Sequence, residues 1–217
     1  MCFSKESSII SYLAGLIPSY LLLISDNKYN KHIGLFCLVF IQMQFAEFLM
    51  WSDINCKNKL NQYGSKFAHI ILSFQPLSIL IGAYYFKTTI LDQKLLLALT
   101  LIYTILFLIA IYHQFFKKKV KLCSKTNKRG QLIWDFNINR EGIVWKVSFI
   151  IYLILVLFFF FFLKDKIKGY LMSFLSLGSF LLAIISTKSI TPKKIFAEWE
   201  SKWCFLAVII PTVIKLL

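Results

Sequence analysis

Glu47 is a carboxylate in an otherwise apolar run, Phe40-Ile41-Gln42-Met43-Gln44-Phe45-Ala46-Glu47-Phe48-Leu49-Met50-Trp51. On a helix, Gln44, Glu47 and Trp51 follow i, i+3, i+7 spacing and share one face. A carboxylate at mid-membrane depth costs about 2.5–3.5 kcal/mol on insertion scales, so it persists only with a partner, a cavity or a bound proton. A partner is offered by the next apolar run, Phe67-Ala68-His69-Ile70-Ile71-Leu72-Ser73-Phe74-Gln75-Pro76. If the two runs form an antiparallel hairpin, His69 lies at roughly the depth of Glu47. Such a pair can share a proton, orient a metal ligand or neutralise a buried charge. It can equally be a hydrogen-bonded clasp between two helices. Pro76 lacks the N–H that would reach Leu72, so the helix is expected to kink beside Ser73 and Gln75 and open room for water, an ion or a small ligand.

Nucleophilic chemistry would fall to Cys2 and Cys204, whose thiols need a neighbouring base to ionise, with His69 the intramembrane base on that side. No Gly-x-Ser-x-Gly, His-Glu-x-x-His or paired-aspartate signature accompanies them. Nor do the five cysteines show zinc-ribbon or thioredoxin spacing. The residues therefore select no cofactor and commit to no metal, and they favour a binding role over catalysis. A second polar entry, Glu198-Trp199-Glu200-Ser201-Lys202-Trp203-Cys204, reads as an interfacial tryptophan belt with solvated charges around it.

The elements that must position these groups are seven apolar stretches: 8–25, 32–51, 67–86, 95–116, 147–163, 169–186 and 203–217. A helix needs about 20 residues to cross a hydrocarbon core about 30 Å thick, and lipid leaves no other way to satisfy the backbone. Composition agrees: 58% of the 217 residues are hydrophobic, 16% are charged, and mean hydropathy is +0.68. A soluble chain of this length could not bury so many apolar helices on every side. The expected fold is an all-α membrane protein, one seven-helix bundle over residues 1–217. The first stretch lacks a small-x-small cleavage site and is expected to remain in the mature protein.

Net charge is +15, but its distribution argues against nucleic acid. Seventeen of the 25 Lys and Arg fall before the first stretch or in the loops 52–66, 117–146 and 187–202; eight fall on the other side. Basic residues stay with the cytosolic face during insertion, which places the N-terminus inside and the C-terminus outside. The run Lys117-Lys118-Lys119-Val120-Lys121 serves first as a stop signal, with anionic lipid as its candidate partner. No aromatic-interleaved basic sheet or recognition helix is present. On this topology Cys2, Cys56, Cys123 and Cys204 lie near the inner face and are expected to stay reduced; a lumenal face would make them disulfide candidates.

The candidate pocket gathers Cys2, Ser4, Gln44, Glu47, Trp51, His69, Gln75, Trp134, Trp203 and Cys204 toward that inner third, opening to the inner face. The opposite half is expected to be a lipid-facing wall, with Phe158 to Phe162 its clearest part. Three functions compete: a bundle that binds or moves a small molecule or ion, a membrane-embedded enzyme using Cys, His and Glu, and a structural membrane or envelope protein.

Five short motifs carry a resemblance: Met1-Cys2-Phe3-Ser4, Glu47-Phe48-Leu49-Met50-Trp51, Gln75-Pro76-Leu77, Gly130-Gln131-Leu132-Ile133-Trp134 and Ser201-Lys202-Trp203-Cys204. Together the chain resembles a multi-pass membrane family that opens with Met-Cys-Trp-Ser, seen among large DNA viruses and some microbes. The resemblance implies a multi-pass protein of a host or virion membrane and carries no activity with it. Phe3 stands where that family has Trp. Gln131 stands where a His precedes Leu-x-Trp, which removes a proton carrier or metal ligand from that loop.

Overall fold

The structure is a computed structural model and describes residues 4–112, 121–127, 130–134, 142–186 and 201–216. The helices are α1 (Lys5–Leu23), α2 (Lys28–Ser52), α3 (Leu60–Phe86), α4 (Gln93–Tyr112), α5 (Gly142–Phe158) and α6 (Lys166–Ile185). Residues 201–206 are helical, pass through a 3₁₀ turn (Ala207–Ile209) and end in α7 (Ile210–Leu216). A minimal antiparallel ribbon, β1 (Lys125–Thr126) with β2 (Leu132–Ile133), lies between α4 and α5. Sequence pattern gives no hint of it.

Each turn has a local cause. Ser4 caps α1 through a reciprocal bond with Ser7, Asn27 caps α2 by accepting from Tyr29 and Asn30, and Asp165 caps α6 by accepting from Lys168. Lys59 and Lys87 adopt left-handed backbone at the two ends of α3.

α2 and α3 form the centre. Gly64 sits against Ala46, Leu49 and Met50, which sets the two helices antiparallel; a methyl there would lie 2.7 Å from the Ala46 carbonyl oxygen. Gly34 lies against the backbone of Leu22 and Leu23 and fixes α1 on α2 in the same way. Among the described residues four helices, α1, α2, α3 and α6, are long and apolar enough to cross a membrane; Gln93–Ile109 in α4 and Val147–Phe162, which runs from α5 into the 3₁₀ turn Phe159–Phe162, are shorter apolar helices. Ile10, Leu13, Ile17, Leu101, Ile105, Leu108, Ile150, Ile154 and Phe174 are exposed, a belt that water would penalise and lipid tolerates.

The bundle thus has two ends. At one, the turn 53–59 meets the segment 121–134. At the other, Ile90 and Lys164 exchange backbone bonds with Phe162 and Thr88, and Lys168 Nζ reaches Asn30 Oδ1.

Two expectations are corrected. α3 starts at Leu60 rather than 67, because Asn61 and Ser65 are buried against Ser124 and extend the helix past its apolar stretch. Pro76 lies inside this helix. The phenylalanine run is only partly a wall: Phe158 and Phe162 are exposed, whereas the 3₁₀ turn of Phe159–Phe162 carries Phe159 and Phe160 into the core beside His32.

Candidate functional site

Gln44, Glu47 and His69 have no exposed surface. Glu47 lies about 8 Å along α2 from the Ser52 end and His69 about 14 Å along α3 from Leu60, at roughly 1.5 Å per residue. What meets Glu47 from outside the helical hairpin is Trp134, whose indole Nε1–H donates to Glu47 Oε1 at 3.2 Å. Ser73 Oγ–H donates to the His69 carbonyl at 3.0 Å.

Trp134 reaches this depth because the segment before it is fastened to the α2–α3 turn. Cys123 and Cys56 form a disulfide, 67 residues apart in sequence. Asn61 Nδ2 donates to the carbonyls of Met50 and Ser124, and the Ser124 N–H donates back to Asn61 Oδ1 at 2.8 Å. The Ser65 and Ser124 hydroxyls meet at 2.8 Å. Leu132 is fully buried, so the ribbon stands as a cap on the end of the bundle. Asp53 holds the underlying turn by accepting from the N–H groups of Lys57, Asn58 and Asn61. Burial, the largest influence on its carboxyl, acts to raise its pKa. The N–H donors of Asn58, Lys57, Asn61 and Leu60 together outweigh that and hold it below the ordinary carboxylate value.

The disulfide overturns the expectation that Cys56 and Cys123 stay reduced. The two thiols belong to separate loops, and only the docked cap brings them together. Cys37 and Cys204 form no disulfide among the described residues.

Gln75 and Trp203 belong to a second group. Tyr152 donates to Gln75 Oε1 at 2.8 Å, and its ring meets that of Trp203 edge-on at 6.2 Å. Trp203 also packs on Phe40 and Phe180 and donates to Ser179 Oγ at 3.1 Å. Trp203 is therefore a core residue, contrary to the interfacial belt expected of it. Lys202, expected to be solvated, is also buried, with Nζ donating to the Ser186 carbonyl at 2.9 Å. Cys204 is buried beside them in sequence.

Ser4 stays at the α1 cap, half-buried. Trp51 is half-buried, its Nε1 enclosed without a partner among the described residues. Cys2, Glu198, Trp199, Glu200 and Lys117 to Val120 lie outside the described residues, so neither the Cys2 chemistry nor the lysine run is placed. Among the described residues no three His, Cys, Asp or Glu side chains gather as a metal site. Sequence reading missed Asn61, Ser65, Ser124 and Tyr152; the i, i+4 spacing of Asn61 and Ser65 was the one available signal.

No protein-family model, curated protein or solved structure matches the chain.

Proposed function

We propose that this is a seven-span membrane protein that binds or moves a small molecule or ion in a polar interior centred on Glu47, reached from the lysine-rich end beneath the 121–134 cap. The observation that carries this reading is the Glu47–Trp134 pair. A fully enclosed carboxylate on an apolar helix is expensive, and it is met there by an indole from a loop. An ionisable group at the centre of the bundle, covered by a side chain from a loop rather than a helix, is what supports a binding role. Chains bearing the Met-Cys-Trp-Ser opening are proposed as its relatives.

Proteoliposomes loaded with a pH-sensitive or potassium-sensitive dye test the reading. The wild-type protein should dissipate a proton or potassium gradient, Glu47→Gln should reduce the rate at least tenfold, and Trp134→Phe should raise it by loosening the cap. Rates equal to those of empty vesicles for all three proteins would remove a conducting role.

For orientation, the seventeen basic residues that the sequence assigns to the N-terminal side support a cytosolic face for it. The Cys56–Cys123 bond favours the reverse, since disulfides persist in oxidising compartments. A glycosylation acceptor inserted after Thr126 decides between them: modification places the cap in a lumen, and an unmodified but protease-accessible site places it in the cytosol.

A further inference from the structure

A cleft runs between α3, α4 and α5, lined by Leu72, Ser73, Tyr103, Phe107, Ser148 and Tyr152. With its open mouth and the gaps between its lining atoms counted, about 390 Å³ of space lies outside atoms there. Most of the lining is apolar, yet the cleft contains a specific polar feature. Ser148 is 7% exposed and its Oγ has no hydrogen-bond partner among the described residues. A serine hydroxyl in a helix ordinarily bonds back to a carbonyl one turn earlier, as Ser73 does to His69. Ser148 does not. A second such atom lies just behind: Tyr152 donates to Gln75 Oε1, while Gln75 Nε2 is enclosed with no partner among the described residues. Two hydrogen-bond donors thus face or back one apolar slot, and an acceptor that reaches a buried donor gains a full hydrogen bond.

The location limits what supplies it. The lining residues belong to apolar helices, and the neighbouring faces of α4 and α5 carry exposed Leu101, Ile105, Ile150 and Ile154. A ligand entering sideways must be dissolved in the membrane and uncharged over most of its length. Ser148 lies about 9 Å along α5 from Gly142, near the end of the apolar stretch on the capped side, and Ser73 and Tyr103 lie farther toward mid-bundle. The polar group of the ligand therefore sits near one interface and its apolar part runs inward.

We propose that the α3–α4–α5 cleft binds one acyl chain of a glycerolipid from the leaflet at the capped end, its ester carbonyl accepting from Ser148 Oγ–H. The chain lies along Leu72 and Phe107, and the Tyr152–Gln75 pair closes the inner side. This site is separate from the Glu47 interior and does not depend on that reading.

The test uses full-length protein in nanodiscs of mixed phosphatidylcholine and phosphatidylglycerol containing a trace of phosphatidylcholine with a diazirine in one acyl chain. Illumination should place the label on α4 and α5 residues bordering the cleft, saturably, with unlabelled glycerolipid competing. Ser148→Leu, which fills the slot, should abolish the saturable labelling while circular dichroism and thermal midpoint stay within the range of the wild type. Ser148→Ala should weaken competition about five- to tenfold, the size of one hydrogen bond. Stronger competition by phosphatidylglycerol would add a headgroup contact at the basic end; equal competition would assign recognition to the ester and chain alone. Label spread evenly over exposed α1 residues such as Ile10 and Leu13, or labelling unchanged in Ser148→Leu, would overturn the proposal. Should Ser148→Leu fail to fold, Phe107→Trp fills the slot from the opposite wall and is read in the same way.

Discussion

The two ends of the bundle solve the same problem with different chemistry. At the uncapped end, His32 is fully buried and both ring nitrogens are used: Nδ1 meets the Thr88 hydroxyl at 2.7 Å, and Nε2–H donates to the Ile79 carbonyl at 2.8 Å. Gly82 is pressed against the edge of the ring. Nothing in this arrangement needs to move. At the capped end the buried group is a carboxylate, and its visible partner comes from a loop about 90 residues away. This loop is held by a disulfide, by two hydrogen bonds between Asn61 and Ser124 and by a buried leucine. The imidazole is closed off within the helices and the segment beside them, whereas the carboxyl is covered by a loop fastened from outside the helical hairpin. On the proposed function, the capped end is where activity and stability meet.

The largest expected effect is the loss of that fastening. Replacing Cys56 and Cys123 together by serine should lower stability in detergent by about 2–4 kcal/mol, the usual contribution of a bond closing a loop of this length. Spans that stay helical in lipid keep some of that entropy constrained, which places the value toward the lower half. Unfolding followed by tryptophan fluorescence reads it, and a reductant added to the wild type should reproduce it. A double mutant as stable as the wild type would erase the contrast between the ends, leaving the cap held by hydrogen bonds alone.

The uncapped end supplies the second prediction. His32→Leu keeps comparable volume, loses both ring bonds and strands the Thr88 hydroxyl in a buried site. A cost of about 2 kcal/mol follows from the two lost bonds and the orphaned group. The same substitution should leave proton or potassium flux through the Glu47 interior unchanged once the protein is folded. If His32→Leu changes flux as much as Glu47→Gln, the two ends are not divided between structure and function as described.

How much of this was legible in the sequence follows the physics of each level. Each apolar stretch overlaps a described helix because membrane length and hydropathy act over twenty residues at a time, with the largest displacement at the start of α3. That displacement is instructive: Asn61-Gln62-Tyr63-Gly64-Ser65-Lys66 reads as a polar loop, yet it is helical because a distant segment covers Asn61 and Ser65. Trp203 and Lys202 were misread for the same reason. Their neighbours in sequence made them look interfacial, whereas their neighbours in space, Phe180, Tyr152 and the Ser186 carbonyl, make them core. Glu47, Gln44, His69 and Trp134 stood out by composition alone, since each is rare in its setting. The pairing of Glu47 with Trp134, and of Cys56 with Cys123, depends on how a loop folds back, and no local pattern encodes it.

The smallest effect separates the ends by pH. Asp53 is a carboxylate whose four backbone donors hold its folded pKa below the ordinary value of 3.8, in spite of burial acting the other way. A depressed carboxyl stabilises the folded state above its unfolded pKa, and the contribution disappears as pH falls through the folded value. Asp53 caps the turn that carries Cys56 and Asn61, so this contribution belongs to the capped end alone. Asp53→Asn should therefore be less stable than the wild type at pH 7, by less than either substitution above. The gap should narrow below about pH 4, where the wild-type carboxyl also becomes neutral. Thermal midpoints measured from pH 7 to pH 3 give the comparison. A gap that stays constant, or widens in acid, would mean that the turn is held by shape and the disulfide, with the charge on Asp53 contributing nothing.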